Sequence, residues 1–177
     1  NTKSSVYKAA DKKYSNDWRT SNNYAVALLM QNKLSDAKAA FERAAKIAPN
    51  EALVNNGLGI VSSKEGNRTQ AMDYYKKATA AGAEVSYNMG ILDVRNGNYS
   101  EAAAHFGTYK GINRALAQLL NGQADQVSAT IDASNEKDMA LAYYVKAVAA
   151  ARLGDSSTGL AALSTAIQKD EIGRAHV

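Results

Sequence analysis

Cysteine is absent from all 177 residues, which excludes disulfides and thiolate metal sites. Proline occurs once, at Pro49, and no stretch alternates Val, Ile or Thr with polar residues as a half-buried strand would. No apolar run approaches the roughly 18 residues that a membrane-spanning helix needs, so direct membrane insertion of this segment is not expected. Histidine is limited to two positions and aromatics to 7% of the chain. What remains is a composition that is 46% apolar with alanine carrying much of the load, which suits helices that approach closely through small side chains. The expected class is all-α.

The formal charge of +4 is unevenly placed. Residues 1–20 hold Lys3, Lys8, Lys12, Lys13 and Arg19 against Asp11 and Asp17, a net +3 that leaves only +1 for the other 157 residues. A lysine-rich, solvated first helix accounts for this, and no basic stripe tracks along the chain as phosphate binding would require. Nucleic acid is not an expected partner.

A repeat is written in the turns. Gln31-Asn32-Lys33, Glu65-Gly66-Asn67, Asn96-Gly97-Asn98, Asn121-Gly122-Gln123 and Leu153-Gly154-Asp155 each place Asn or Gly where a helix ends, since these residues take the left-handed conformation at little steric cost. Asn32, Gly66, Gly97, Gly122 and Gly154 are spaced by 34, 31, 25 and 32 residues. Behind each turn an i, i+4, i+7 face returns: Ala37, Phe41, Ala44; Ala71, Tyr75, Ala78; Ala102, Phe106; Val127, Ile131; Gly159, Leu163, Ala166. Seven residues ahead of each turn a small residue recurs, as Ala25, Gly59, Gly90, Ala115 and Ala147, where a neighbouring helix is expected to cross closely.

Leu58-Gly59, Gly66, Ala71, Tyr75 and Ala78, together with Leu28, Ala37, Phe41, Ala44 and Pro49, make the chain resemble the tetratricopeptide repeat (TPR) family. The resemblance covers residues 17–170, weakening through 110–134. It implies a right-handed α-solenoid of antiparallel helix pairs, divided as 17–50, 51–82, 83–109, 110–135 and 136–170. First ("A") helices are expected near 17–31, 51–65, 84–95, 112–121 and 136–152, and second ("B") helices near 35–47, 68–81, 99–108, 124–132 and 156–169. Ser35, Thr69, Ser100 and Ser156 are expected to cap the B helices. Residues 1–16 are expected to be the remnant of an upstream helix, with 4–13 helical. Residues 171–177, Glu-Ile-Gly-Arg-Ala-His-Val, are similar to the in-frame translation of a sequencing adapter and are expected to be a non-native tail packed against nothing.

Chemistry finds little to build on. His105 has no serine or cysteine at i±3 or i±4 and a single carboxylate, Glu101, at i−4, too few groups for a coupled catalytic set, and no cluster of His and carboxylates has metal-ligand spacing. Glu136 and Asp138 read as first-turn acids of the helix at 136–152. Asp93 occupies a slot that is polar in other repeats and is expected to be half-exposed or hydrogen-bonded. No phosphate-cradling GxGxxG or GxxxxGK[ST] follows any turn. No catalytic residue, cofactor or metal is expected, and the chain is read as a non-enzyme.

In the TPR family the A helices line a concave groove, so the resemblance assigns groove positions residue by residue. They are Arg19, Asn22, Val26, Leu29 and Met30 in the first repeat; Leu53, Asn56, Ile60, Ser63 and Lys64 in the second; and Glu84, Tyr87, Ile91, Val94 and Arg95 in the third. This mixture suits a protein or peptide partner held by apolar anchors and amide hydrogen bonds. The carboxylate clamp of chaperone-tail-binding members is absent in this register, since Val26 stands where the clamp has Asn and Asn22 where it has Lys. The Asn-Asp-Trp-Arg at 16–19, followed by two good repeats and then degenerate ones, resembles the C-terminal TPR region of OmpA-like envelope proteins of Bacteroides-type bacteria. That resemblance implies a periplasmic or outer-membrane-associated scaffold. The alternatives are a structural spacer or self-association segment for function, and the cytoplasm for location.

Overall fold

The computed structural model describes residues 2–107 and 111–175, and these fall into two compact units divided between Leu92 and Asp93. Every regular element among the described residues is helical.

The first unit contains α1 (Thr2–Lys13), α2 (Trp18–Met30), α3 (Leu34–Ile47), α4 (Ala52–Lys64), α5 (Arg68–Ala80) and the opening turns of α6 (Ser86–Asn96). The expected A and B positions are met within about two residues. Helix α2 ends because Asn32 turns left-handed at φ 57°, and α4 ends the same way at Gly66, φ 83°. The remaining turn markers Gly97, Gly122 and Gly154 also have positive φ. Ala25, Leu28, Ala37, Phe41, Ala44, Val54, Leu58 and Val61 then close into one core, and Ala71, Tyr75, Ala78, Val85 and Leu92 into another. Two glycines set how near the helices come. A Cβ on Gly57 would overlap the Phe41 ring, and one on Gly59 would lie 2.5 Å from the Tyr75 ring.

Helix α1 packs against α2 and is tied to this unit through a half-buried carboxylate. Asp11 accepts from the Ser21 hydroxyl on α2 and from Arg43 on α3 at 2.5 Å.

The second unit contains the end of α6, α7 (Tyr99–Phe106), α8 (Gly111–Leu120), a 3-10 turn (Ala124–Gln126) leading into α9 (Val127–Asp132), α10 (Ala140–Arg152) and α11 (Ser156–Ala175). Its core gathers Ile112, Ala115, Leu119, Val127, Ile131, Ala142, Val145 and Ala149.

Several local expectations change here. Helix α10 begins at Ala140, not near 136, so Glu136 lies ahead of it and instead accepts from the Ile112 backbone N–H at 2.9 Å, serving the first turn of α8. Ser35, Thr69 and Ser100 lie inside α3, α5 and α7, whose N-cap residues Lys33, Asn67 and Asn98 make no side-chain capping bond. Aspartates cap two of the helices: Asp17 accepts from Arg19 N at 3.0 Å, and Asp155 from Thr158 N at 3.0 Å, so Ser156 is the first residue of α11 and not its cap. Helix α11 continues to Ala175 where the B helix was expected to stop near 169, since no proline or glycine stands between 169 and Gly173, and a glycine there costs only about 1 kcal/mol. Thr108, expected to end the third B helix, and His176 and Val177 of the expected tail lie outside the described residues.

Candidate partner-binding site

The A helices of the first unit, α2, α4 and the start of α6, carry the groove positions inferred from sequence. Met30 is 84% exposed, Leu53 57%, Tyr87 46% and Val26 41%, which leaves four large apolar side chains on three successive A helices in contact with water. Lys64 is exposed, and Leu29, Ser63 and Ile91 are half-buried. Ile60 is partly covered because it packs against the second core.

Four assigned positions are spoken for within the protein. Asn22 is buried at 7% exposure, contrary to its surface assignment, and its Oδ1 has no hydrogen-bond partner. It follows Ser21 in α2, whose hydroxyl donates to Asp11 of α1. Asn56 is half-buried and accepts from Asn88 Nδ2 at 3.1 Å, joining α4 to α6. Arg19 is exposed, but its Nε and Nη2 reach Asp17 at 2.8 Å each. The Arg19 side-chain and backbone bonds hold the Asp17 carboxyl below its ordinary value. Glu84 accepts from Ser86 N at 2.8 Å at the start of α6, and its bonds to Ser86 lower its pKa in the same way. Val94 and Arg95 belong to the second unit, the first half-buried and the second exposed.

Sequence reasoning missed the contribution of α1. Lys3, Ser4 and Tyr7 face Asn23, Val26, Ala27 and Met30 across a cleft of about 350 Å3. The signal was present, since Tyr7 lies 34 residues before Phe41 and so continues the repeat backwards.

No protein-family model matches the chain, and no curated protein matches it by sequence. Solved structures do match. YrrB, a TPR protein with an unusual peptide-binding site, superposes with TM-score 0.75 at 22% identity over 92% of this chain and 91% of its own. The fold is that of TPR proteins. PilW, a type IV pilus biogenesis factor, gives TM-score 0.77 at 18% identity over 89% of this chain and 80% of its own. A TPR protein from Parabacteroides merdae gives 0.73 at 16% identity, covering 94% and 72% respectively.

In the second unit one polar pair stands out from the helical packing. Asp93, 3% exposed, meets His105 Nδ1 at 2.7 Å. The partner comes from twelve residues away, on the preceding helix, and not from the i±3 or i±4 positions considered from sequence. Asp93 is hydrogen-bonded as expected but fully buried. The pair ties α6 to α7. Among the described residues no group of three His or carboxylate side chains is placed to hold a metal, and no helix is long and apolar enough to cross a membrane.

Proposed function

We propose that this chain is a non-enzymatic scaffold that holds a peptide or protein segment against the A helices of its first unit. The observation that carries the reading is the exposure of Val26, Met30, Leu53 and Tyr87 on successive A helices, because large apolar side chains repeated along one series are what an extended partner anchors to. The Asn56–Asn88 pair supplies amides beside these anchors, and Lys64 supplies charge at the edge. The partner is protein or peptide and not nucleic acid, which agrees with the lack of a basic stripe. The test is affinity capture from the source organism with wild type, Tyr87→Ala and Asn56→Ala. Tyr87→Ala should cost about 2 kcal/mol of binding, roughly thirtyfold, with an unchanged helical spectrum. Equal capture by wild type and Tyr87→Ala removes the reading.

A second reading is favoured by a different observation. Tyr144, Val148, Gly159, Leu160 and Leu163 line an apolar hollow of about 430 Å3 between α10 and α11. A face of this kind suits a structural spacer or self-association segment of a larger bacterial envelope protein of OmpA-like type. Periplasmic or outer-membrane association accompanies that reading and a cytoplasmic adaptor is its alternative; fractionation of the source organism with an antibody to this chain separates them.

A further inference from the structure

The cleft between α1 and α2 lies at one end of the proposed partner face and differs from it in character. The 34-residue period relates Tyr7 to Phe41 and Asn23 to Gly57. Phe41 seats fully buried on Gly57 because that position has no side chain; no ring can seat on Asn23 in that way, and Tyr7 stays 38% exposed. What the two helices leave between them is a floor of Tyr7, Val26, Ala27 and Met30, with Lys3 at its edge. Among the described residues no acidic side chain lines it.

The surroundings are also short of negative charge. Residues 1–92 hold thirteen lysines and arginines against eight aspartates and glutamates, a net +5, while residues 93–177 hold eight against nine. The two acids nearest in sequence are already used, Asp11 by Ser21 and Arg43 and Asp17 by Arg19. Lys3 has no ion-pair partner among the described residues. An apolar floor beside an uncompensated ammonium, within a unit of surplus positive charge, complements a ligand that is apolar and anionic side by side.

Resting on the scaffold reading above, we propose that the α1–α2 cleft is a specificity pocket for a peptide segment that carries an aspartate or glutamate next to a large apolar residue. The apolar side chain enters between Tyr7, Val26 and Met30, and the carboxylate meets the Lys3 ammonium. The segment lies inside a longer chain, so a terminal carboxylate is not required.

A random dodecapeptide library displayed on phage, fused through its C-terminus so that no terminal carboxylate is offered, should be panned on the whole chain. The enriched sequences are expected to share an acidic residue adjacent to Leu, Ile, Phe or Met. An amidated synthetic copy, followed by fluorescence anisotropy, should bind Lys3→Glu about tenfold more weakly than wild type, and exchanging the peptide's acid for lysine should restore binding to Lys3→Glu. Lys3 is exposed on α1, so its replacement leaves the helical spectrum as the control. No enrichment, enrichment without the acid, or equal binding by Lys3→Glu overturns the pocket. Binding that Tyr87→Ala abolishes and Lys3→Glu does not touch overturns the pocket while leaving the scaffold reading in place.

Discussion

At the scale of single residues, the approach of α3 to α4 turns on an absent side chain. Gly57 lies against the buried ring of Phe41, and in a core packed to crystal-like density a new methyl there has no void to enter. Gly57→Ala gains about 1 kcal/mol of helix propensity. The overlap with an aromatic ring costs more, so the substitution should destabilise the fold by about 1–3 kcal/mol, read from urea midpoints at constant slope. Adding Phe41→Leu should recover part of that loss, since it removes the ring that clashes. Gly59→Leu, against Tyr75, should unfold the first unit outright. The importance of Gly59 was legible from its place in the series Ala25, Gly59, Gly90, Ala115 and Ala147; that of Gly57 was not, because no other repeat has glycine there. Asn22 shows the limit of reading faces from spacing. Its position, three before the small residue of the repeat, is held elsewhere by Asn56, Tyr87, Ile112 and Tyr144, which range from exposed to buried, so spacing alone does not fix its exposure.

At the scale of elements, helix order and ends were legible wherever a turn residue fixed them, and uncertain where capping came from outside the helix. Serines and threonines near helix starts are reasonable cap candidates, yet here they sit inside the first turn, and Asp17 and Asp155 do the capping. Their pKa values fall below the ordinary 3.8, Asp17 chiefly through the Arg19 side-chain bond and Asp155 chiefly through its bonds to Thr158. A carboxyl lowered on folding stabilises the fold fully above its unfolded value, and that contribution is lost as pH falls through the folded one. Thermal midpoints should therefore drop as pH falls below the ordinary carboxyl value of 3.8, and drop less in Asp155→Ala, which has already lost the cap at neutral pH. Glu136 and His105 teach the same lesson across greater distances. Their partners, the start of α8 and Asp93, are fixed by tertiary packing, which no i, i+3 or i, i+4 rule reaches. His105→Ala should leave a buried carboxylate without its partner and cost about 1–3 kcal/mol. The double substitution with Asp93→Ala should cost less than the sum of the singles, the mark of a direct pair in a double-mutant cycle.

At the scale of the whole molecule, the helical class and the phase of its pairs were legible because every turn marker keeps its distance from the small residues ahead of it. The division at Leu92 and Asp93 was not, since it falls inside α6, where the hydrophobic pattern runs on without a break. The uneven charge was legible too, and the division sharpens it to +5 for residues 1–92 and −1 for residues 93–177. The first unit offers apolar anchors set among positive charge, and the second offers the apolar hollow between α10 and α11. The hollow supports a separate prediction about assembly. Leu160, Leu163 and Ile167 lie on one face of α11 at i, i+3 and i+7, all exposed, with Tyr144 of α10 exposed beside them. If self-association uses this face, the weight-average mass in sedimentation equilibrium should rise above 18.8 kDa with concentration. Leu160→Glu should hold it at the monomer value, because a carboxylate buried in an apolar contact without a partner costs several kcal/mol. Capture by the first unit should be unaffected, since Leu160 belongs to the second. A chain that stays at the monomer mass up to millimolar concentration would remove the self-association reading and leave the scaffold alone.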